Sequence, residues 1–99
     1  MGAADRPELH ALKPADARKL ARDIMEHGSV RFTAHARREM ENDGLETTDC
    51  VNVLRGGVFS PAELANREWR YRVTTNRICL VVTFESHDQL AVITAWRIK

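Results

Sequence analysis

Two arginines separated by a single residue, Arg70 and Arg72, stand in the run Arg67-Glu-Trp-Arg-Tyr-Arg-Val-Thr-Thr75. In an extended strand residues two apart share a face, so both guanidinium groups would leave the same side of a sheet. A guanidinium keeps its charge and matches two phosphate oxygens with a planar fork, which suits an anionic ligand, RNA above all. Cutting RNA without a metal asks for three things at one phosphate. The 2′-OH must lose a proton, fixed positive charge must stabilise the pentavalent phosphorane, and the leaving 5′ oxygen must gain a proton. Arg70 and Arg72 fit the second task, with Arg97 as a third cation if the last strand takes the matching register. The competing reading makes them solvent-facing strand residues paired with Glu68 or Glu85.

For proton transfer the candidates are His35, Tyr71 and His87, with His35 first because histidine titrates near neutral pH. His35 falls in the first turn of a helix, where the dipole disfavours the charged form. A histidine hydrogen-bonded to the sheet and a catalytic one are both open. Tyr71 is read as core, and His87 as an exposed loop residue. Arg38, Thr94 and Trp96 complete the candidate substrate contacts, the last two only if the final strand turns them to the arginine side. No cofactor is expected. The 4 His and 2 Cys show no metal-ligand spacing, and Gly56-Gly57 is no phosphate loop.

These residues need a sheet. The last third reads as three strands: the run above, Arg77–Phe84, and Leu90–Arg97, all rich in β-branched and aromatic side chains. A two-residue turn at Thr75-Asn76 would pair Val73 with Ile78, Tyr71 with Leu80 and Trp69 with Val82. Those six form an apolar face opposite Arg70 and Arg72. A three-residue turn near Ser86-His87-Asp88 pairs Phe84 with Leu90. It puts Val92, Thr94 and Trp96 on the core side and Arg97 on the arginine side.

Helices must cover the apolar face. Pro14 opens one carrying Ala17, Leu20, Ala21 and Ile24, and Gly28 stops it. Val30-Arg-Phe32 is a brief extended piece. Thr33 caps a second helix to about Asp43, ended by Gly44, with Ala36, Met40 and part of His35 inward. Thr47 or Thr48 caps a third, burying Cys50, Val51 and Leu54. Residues 57–66 read as a loop with at most an edge strand, because Pro61 cannot sit in a central one. Phe59 and Leu64 would be exposed there. The expected architecture is α+β: two to three N-terminal helices packed on one face of a C-terminal antiparallel sheet. Residues 1–13 are expected to form a flexible arm, and 14–99 a single domain.

Ninety-nine residues, 43% hydrophobic and 29% charged, fit one globular domain. The net charge of +1 gives no general attraction to nucleic acid, so any basic surface must come from local segregation. Cys50 and Cys79 sit inside apolar runs and read as buried, reduced thiols. With no apolar run near 20 residues and no signal pattern, a soluble cytoplasmic protein without membrane contact is expected.

The order of several short motifs carries a resemblance. His35-Ala-Arg-Arg-Glu-Met40, Asp49-Cys-Val-Asn-Val-Leu54 with Gly56-Gly57, Trp69-Arg-Tyr-Arg-Val73 and Val92-Ile-Thr-Ala-Trp-Arg97 together resemble a small bacterial family of unknown function. That family is similar to the RelE/ParE-like toxins, the MqsR-like mRNA interferases in particular. The resemblance covers about residues 29–97. It implies a RelE-like fold, an mRNA-cleaving endoribonuclease, and a cognate antitoxin, often of zinc-finger type. The sequence departs from the family pattern in the second helix. Glu39 replaces an arginine, and Asn42-Asp43 replaces a Glu-Arg pair.

Overall fold

The computed structural model describes residues 11–99. Along them run α1 (Pro14–His27), β1 (Ser29–Phe32), α2 (Ala34–Asp43), α3 (Thr47–Gly56), β2 (Val58–Phe59), β3 (Glu63–Ala65), β4 (Glu68–Thr74), β5 (Ile78–Ser86) and β6 (Gln89–Arg97). The class is α+β, as expected. The sheet order is β1-β6-β5-β4-β2, with β3 also on β4. The sheet is mixed, because the short piece around Arg31 joins β6 in parallel.

Helical ends follow from local chemistry. Pro14 takes the first position of α1, where a missing N–H is harmless. Thr33 caps α2 by accepting from the Ala36 N–H, and Gly44 ends it at φ 66°, a left-handed angle that suits glycine. Leu45 then folds back, donating its N–H to Met40 at 2.8 Å. At α3 the cap is Glu46, ahead of both Thr47 and Thr48. The Asp49 carboxylate reaches back to the Glu46 N–H at 2.8 Å, so the acid fixes the start. Val53, rather than Val51, joins Cys50 and Leu54 inside.

The core lies between the helices and one sheet face. Ala17, Ala21, Ile24, Ala36, Met40, Cys50, Val53 and Leu54 meet Tyr71, Val73, Leu80, Val82, Leu90, Val92 and Ala95. Burying each large aliphatic is worth roughly 1.5–3 kcal/mol, so this layer outweighs the surface ion pairs in holding the fold. Tyr71 is fully buried, as read, and meets Phe84 edge-to-face at 5.4 Å. Residues 1–10 of the expected arm lie outside the described residues. At its end Leu12 packs on the core and donates its N–H to the Tyr71 hydroxyl at 2.8 Å.

Side chains satisfy backbone groups of β6 and β4 where their short neighbours stop. α2 runs beside the far half of β6, where Thr33 Oγ1 donates to the Ile93 carbonyl and Asp43 accepts the Arg97 N–H at 2.7 Å. On the other edge β2 and β3 share β4, with the break at Ser60-Pro61. Ser60 bridges it: its N–H donates to the Arg72 carbonyl and its hydroxyl accepts the Arg72 N–H, both at 2.9 Å. Pro61, lacking an N–H, falls where no ladder bond is required. Phe59 is buried in this edge rather than exposed; Leu64 is exposed, as is Val58.

The β4–β5 register differs from the expected one. Val73 faces Leu80, and Tyr71 faces Val82. Thr75, Asn76 and Arg77 connect the strands: the Thr75 N–H donates to the Ile78 carbonyl at 3.0 Å, and its hydroxyl accepts from the N–H groups of Arg77 and Ile78. A two-residue turn would have demanded positive φ of Thr75. The displacement is two residues, an even number, so every side chain keeps its face.

The β3–β4 hairpin does use a two-residue turn, Asn66-Arg67, with φ of 51° and 67°. Asn tolerates that region; arginine does so at a cost of roughly 1 kcal/mol. Arg67→Gly is therefore expected to raise the melting temperature by about 4 °C or more. A thermal scan showing no gain would contradict the strain.

Candidate functional site

The face of the sheet turned away from the helices is built from alternate residues of β1, β4, β5 and β6. Arg70 stands opposite Thr83, and Thr83 opposite Ala91, which pairs with Arg31 of β1. One step along, Arg72 faces Val81 and Val81 faces Thr94; one further, Thr74 faces Cys79 and Cys79 faces Trp96. Arg70 and Arg72 thus share the outer face, as the alternation in β4 required.

Thr94 and Trp96 reach that face through a bulge. Val82 pairs with Val92, but Val81 pairs with Thr94, so Ile93 is an extra residue in β6. One inserted residue reverses inside and outside for the rest of the strand. Ala95 therefore becomes core, and Thr94 and the half-buried Trp96 turn outward. The same inversion removes Arg97 from the arginine face, correcting the expected third cation. Its guanidinium instead donates to the carbonyls of Asp43 and Gly44 at 2.7 and 3.1 Å, capping the C-terminus of α2.

His35 is exposed and makes no hydrogen bond among the described residues, so it is neither part of the buried side of α2 nor anchored to the sheet. Arg37 and Glu41 line a shallow groove with Leu45, Glu46 and Thr47 on the side of α3. Arg38 lies on the side of α2 opposite the buried Ala36 and Met40, and both it and His35 are exposed. No hydrogen bond or ion pair among the described residues joins either side chain to the outer face. Thr94 and Trp96 join Arg72 within it.

The face is electrically uneven. At one end Arg70 is tied to Glu68, with Nε 2.9 Å and a terminal nitrogen 2.8 Å from the same carboxylate oxygen. Arg31 is tied to Glu85 through two hydrogen bonds, one of them from Nε at 3.2 Å. This pairing raises the Arg31 pKa further above its ordinary value, through the Glu85 hydrogen bond first and its charge second. Glu63 stands directly across from Arg70 on β3. Three carboxylates therefore accompany two arginines there. At the other end Arg72 is exposed and has no ion-pair partner among the described residues.

Arg31 escaped the sequence reading. Its segment is four residues long and pairs in parallel with a strand nearly sixty residues away. Only the small alternation in Val30-Arg31-Phe32 could have shown which way it points.

Buried acids give a measurable signature. Burial, with help from the Asp49 charge, pushes the Cys50 thiol up to about 11. Burial also raises Cys79, against the pull of Arg72, and Tyr71, against the Leu12 N–H. A thiol raised in the folded state stays protonated there while the unfolded chain ionises. Its stabilisation is complete below the unfolded pKa near 8.5 and lost as pH climbs through the folded value. Urea unfolding is expected to weaken by about 2 kcal/mol between neutral pH and about pH 10.5 from Cys50 alone. Much of that decline should vanish in Cys50→Ala, and an identical decline there would refute the assignment.

No helix among the described residues is long and apolar enough to cross a membrane. A family model described as Domain of unknown function (DUF4258) matches residues 32–97, the stretch from the end of β1 to the end of β6. Neither the curated proteins nor the solved structures contain a match to the chain.

Proposed function

The chain belongs to the DUF4258 family, and from that premise we propose that it is an RNA-directed toxin of the RelE/ParE-like, MqsR-like type, a metal-independent endoribonuclease acting on mRNA. The observation that carries the reading is the open end of the outer face. There Arg72, without an ion-pair partner among the described residues, lies on the same surface as a half-buried Trp96 and Thr94. A cation for phosphate and an aromatic plane for a base are the two parts a single-stranded site needs. In this reading Arg72, joined by Arg70, stabilises the phosphorane, Thr94 and Trp96 position the nucleotide, and the exposed Arg38 and His35 of α2 add substrate contacts. His35 supplies or removes a proton. A cognate antitoxin, possessing paired C-x-x-C motifs if of zinc-finger type, would be encoded beside it, and the setting would be the cytoplasm.

A second reading, a non-catalytic module that docks RNA or a partner protein on the same face, has its own support. Among the described residues no group orients the His35 side chain, whereas catalytic bases are commonly held by a third residue. Arg70 is also neutralised by Glu68. Incubating the purified protein with mRNA and mapping the ends separates the two. Fragments ending in 2′,3′-cyclic phosphate are expected. RNA that is bound but stays intact would leave the docking module, and RNA neither bound nor cut would remove both RNA readings.

A further inference from the structure

We infer that Glu68 is an internal substitute for phosphate at Arg70, and that it makes the outer face selective for a ligand carrying consecutive phosphates, a single-stranded oligonucleotide, over an isolated anion. The inference rests on the reading that this face takes RNA. A carboxylate oxygen of Glu68 occupies the Arg70 fork at 2.8 and 2.9 Å, where a phosphate oxygen would sit. Glu68 and Arg70 are two apart on β4, so the strand itself aligns them. Glu63 opposite Arg70 and Glu85 on Arg31 add negative charge to that end of the face.

Of the outer-face cations Arg31, Arg70 and Arg72, a lone phosphate finds Arg72 without an ion-pair partner among the described residues and meets carboxylates beside it. A chain engages Arg72 first and then offers its next phosphate at the position of Arg70, about 7 Å along the strand. Bound through Arg72, that phosphate acts at high effective concentration and can displace a half-exposed carboxylate. Ion pairs at a protein surface are weak, roughly 0–1 kcal/mol, and this one is only partly buried, so the exchange lies within reach of a second phosphate contact.

Fluorescence anisotropy with a labelled ten-nucleotide single-stranded RNA, and in parallel with inorganic polyphosphate, tests this. Glu68→Gln is expected to bind RNA three- to tenfold more tightly than the wild type. Its log–log salt slope should stay that of the wild type, because the same phosphate reaches Arg70 in both proteins. Arg70→Ala added to Glu68→Gln should cancel the gain, and both variants should melt close to the wild type. If the wild type binds RNA and Glu68→Gln gains nothing, the substitute role falls while the RNA reading stands. If neither binds RNA but Glu68→Gln gains on polyphosphate, the substitute role stands and the RNA reading falls. No gain on either probe overturns the inference.

Discussion

Arg72→Ala is expected to weaken binding of single-stranded RNA at least tenfold and to relieve growth arrest on induced expression, with the melting temperature within about 3 °C of the wild type. Charge-assisted hydrogen bonds to a phosphate are worth roughly 1.5–3 kcal/mol, which sets the tenfold floor. The small thermal effect follows from position, since the side chain is exposed and has no ion pair among the described residues to lose. Arg70→Ala should cost less binding, because its charge is already offset by Glu68. Arg97→Ala should do the reverse of Arg72→Ala. It removes two hydrogen bonds that cap α2, lowering stability by about 1 kcal/mol while leaving RNA affinity alone. Binding isotherms and growth curves for the three variants provide the check. Equal losses for Arg70 and Arg72, or an RNA defect in Arg97→Ala, would contradict the uneven face.

Gly28→Ala is expected to destabilise the fold by about 2–3 kcal/mol. Gly28 lies at φ −123°, a region open to any residue, so its role is not conformational freedom. Its α-carbon is pressed against the β5–β6 turn, and an added Cβ would overlap the backbone of Asp88. Ser29 donates its N–H to that same Asp88 carbonyl at 3.0 Å, the first bond joining β1 to the sheet. Relief would require separating the two backbones and loosening β1, with Arg31 on it. Gly56 is the contrast: a Cβ there meets nothing within 4 Å, at the last helical residue of α3. Gly56→Ala should be neutral or stabilise by up to about 1 kcal/mol. Denaturant midpoints for both variants decide the matter, and similar values would overturn the close-packing argument.

Much of this architecture was legible because its signals are local. Pro14, Thr33 and Gly44 mark helix ends through their own backbone chemistry, and all three act as read. The alternation Trp69-Arg70-Tyr71-Arg72-Val73 settled which side of β4 faces the core even though the expected pairing was wrong by two residues. What escaped depended on distant partners. Parallel pairing of β1 with β6 has no turn to announce it. The Glu46 cap was hidden behind two threonines that are commoner at that position. The candidate site was half readable: the arginine pair follows from spacing, but Thr94, Trp96 and Arg97 depend on where one strand bulges.

That bulge makes chain length between Leu90 and Trp96, rather than residue identity, the determinant of what the surface offers. Ile93 acts as a phase change of half a period. Were it absent, the same letters Thr-Ala-Trp-Arg would deliver alanine and arginine to the outer face and drive threonine and tryptophan toward the helices. Among relatives, an insertion or deletion of one residue at this point would matter more than most substitutions within the strand. Aligned columns would then look alike while presenting opposite sides.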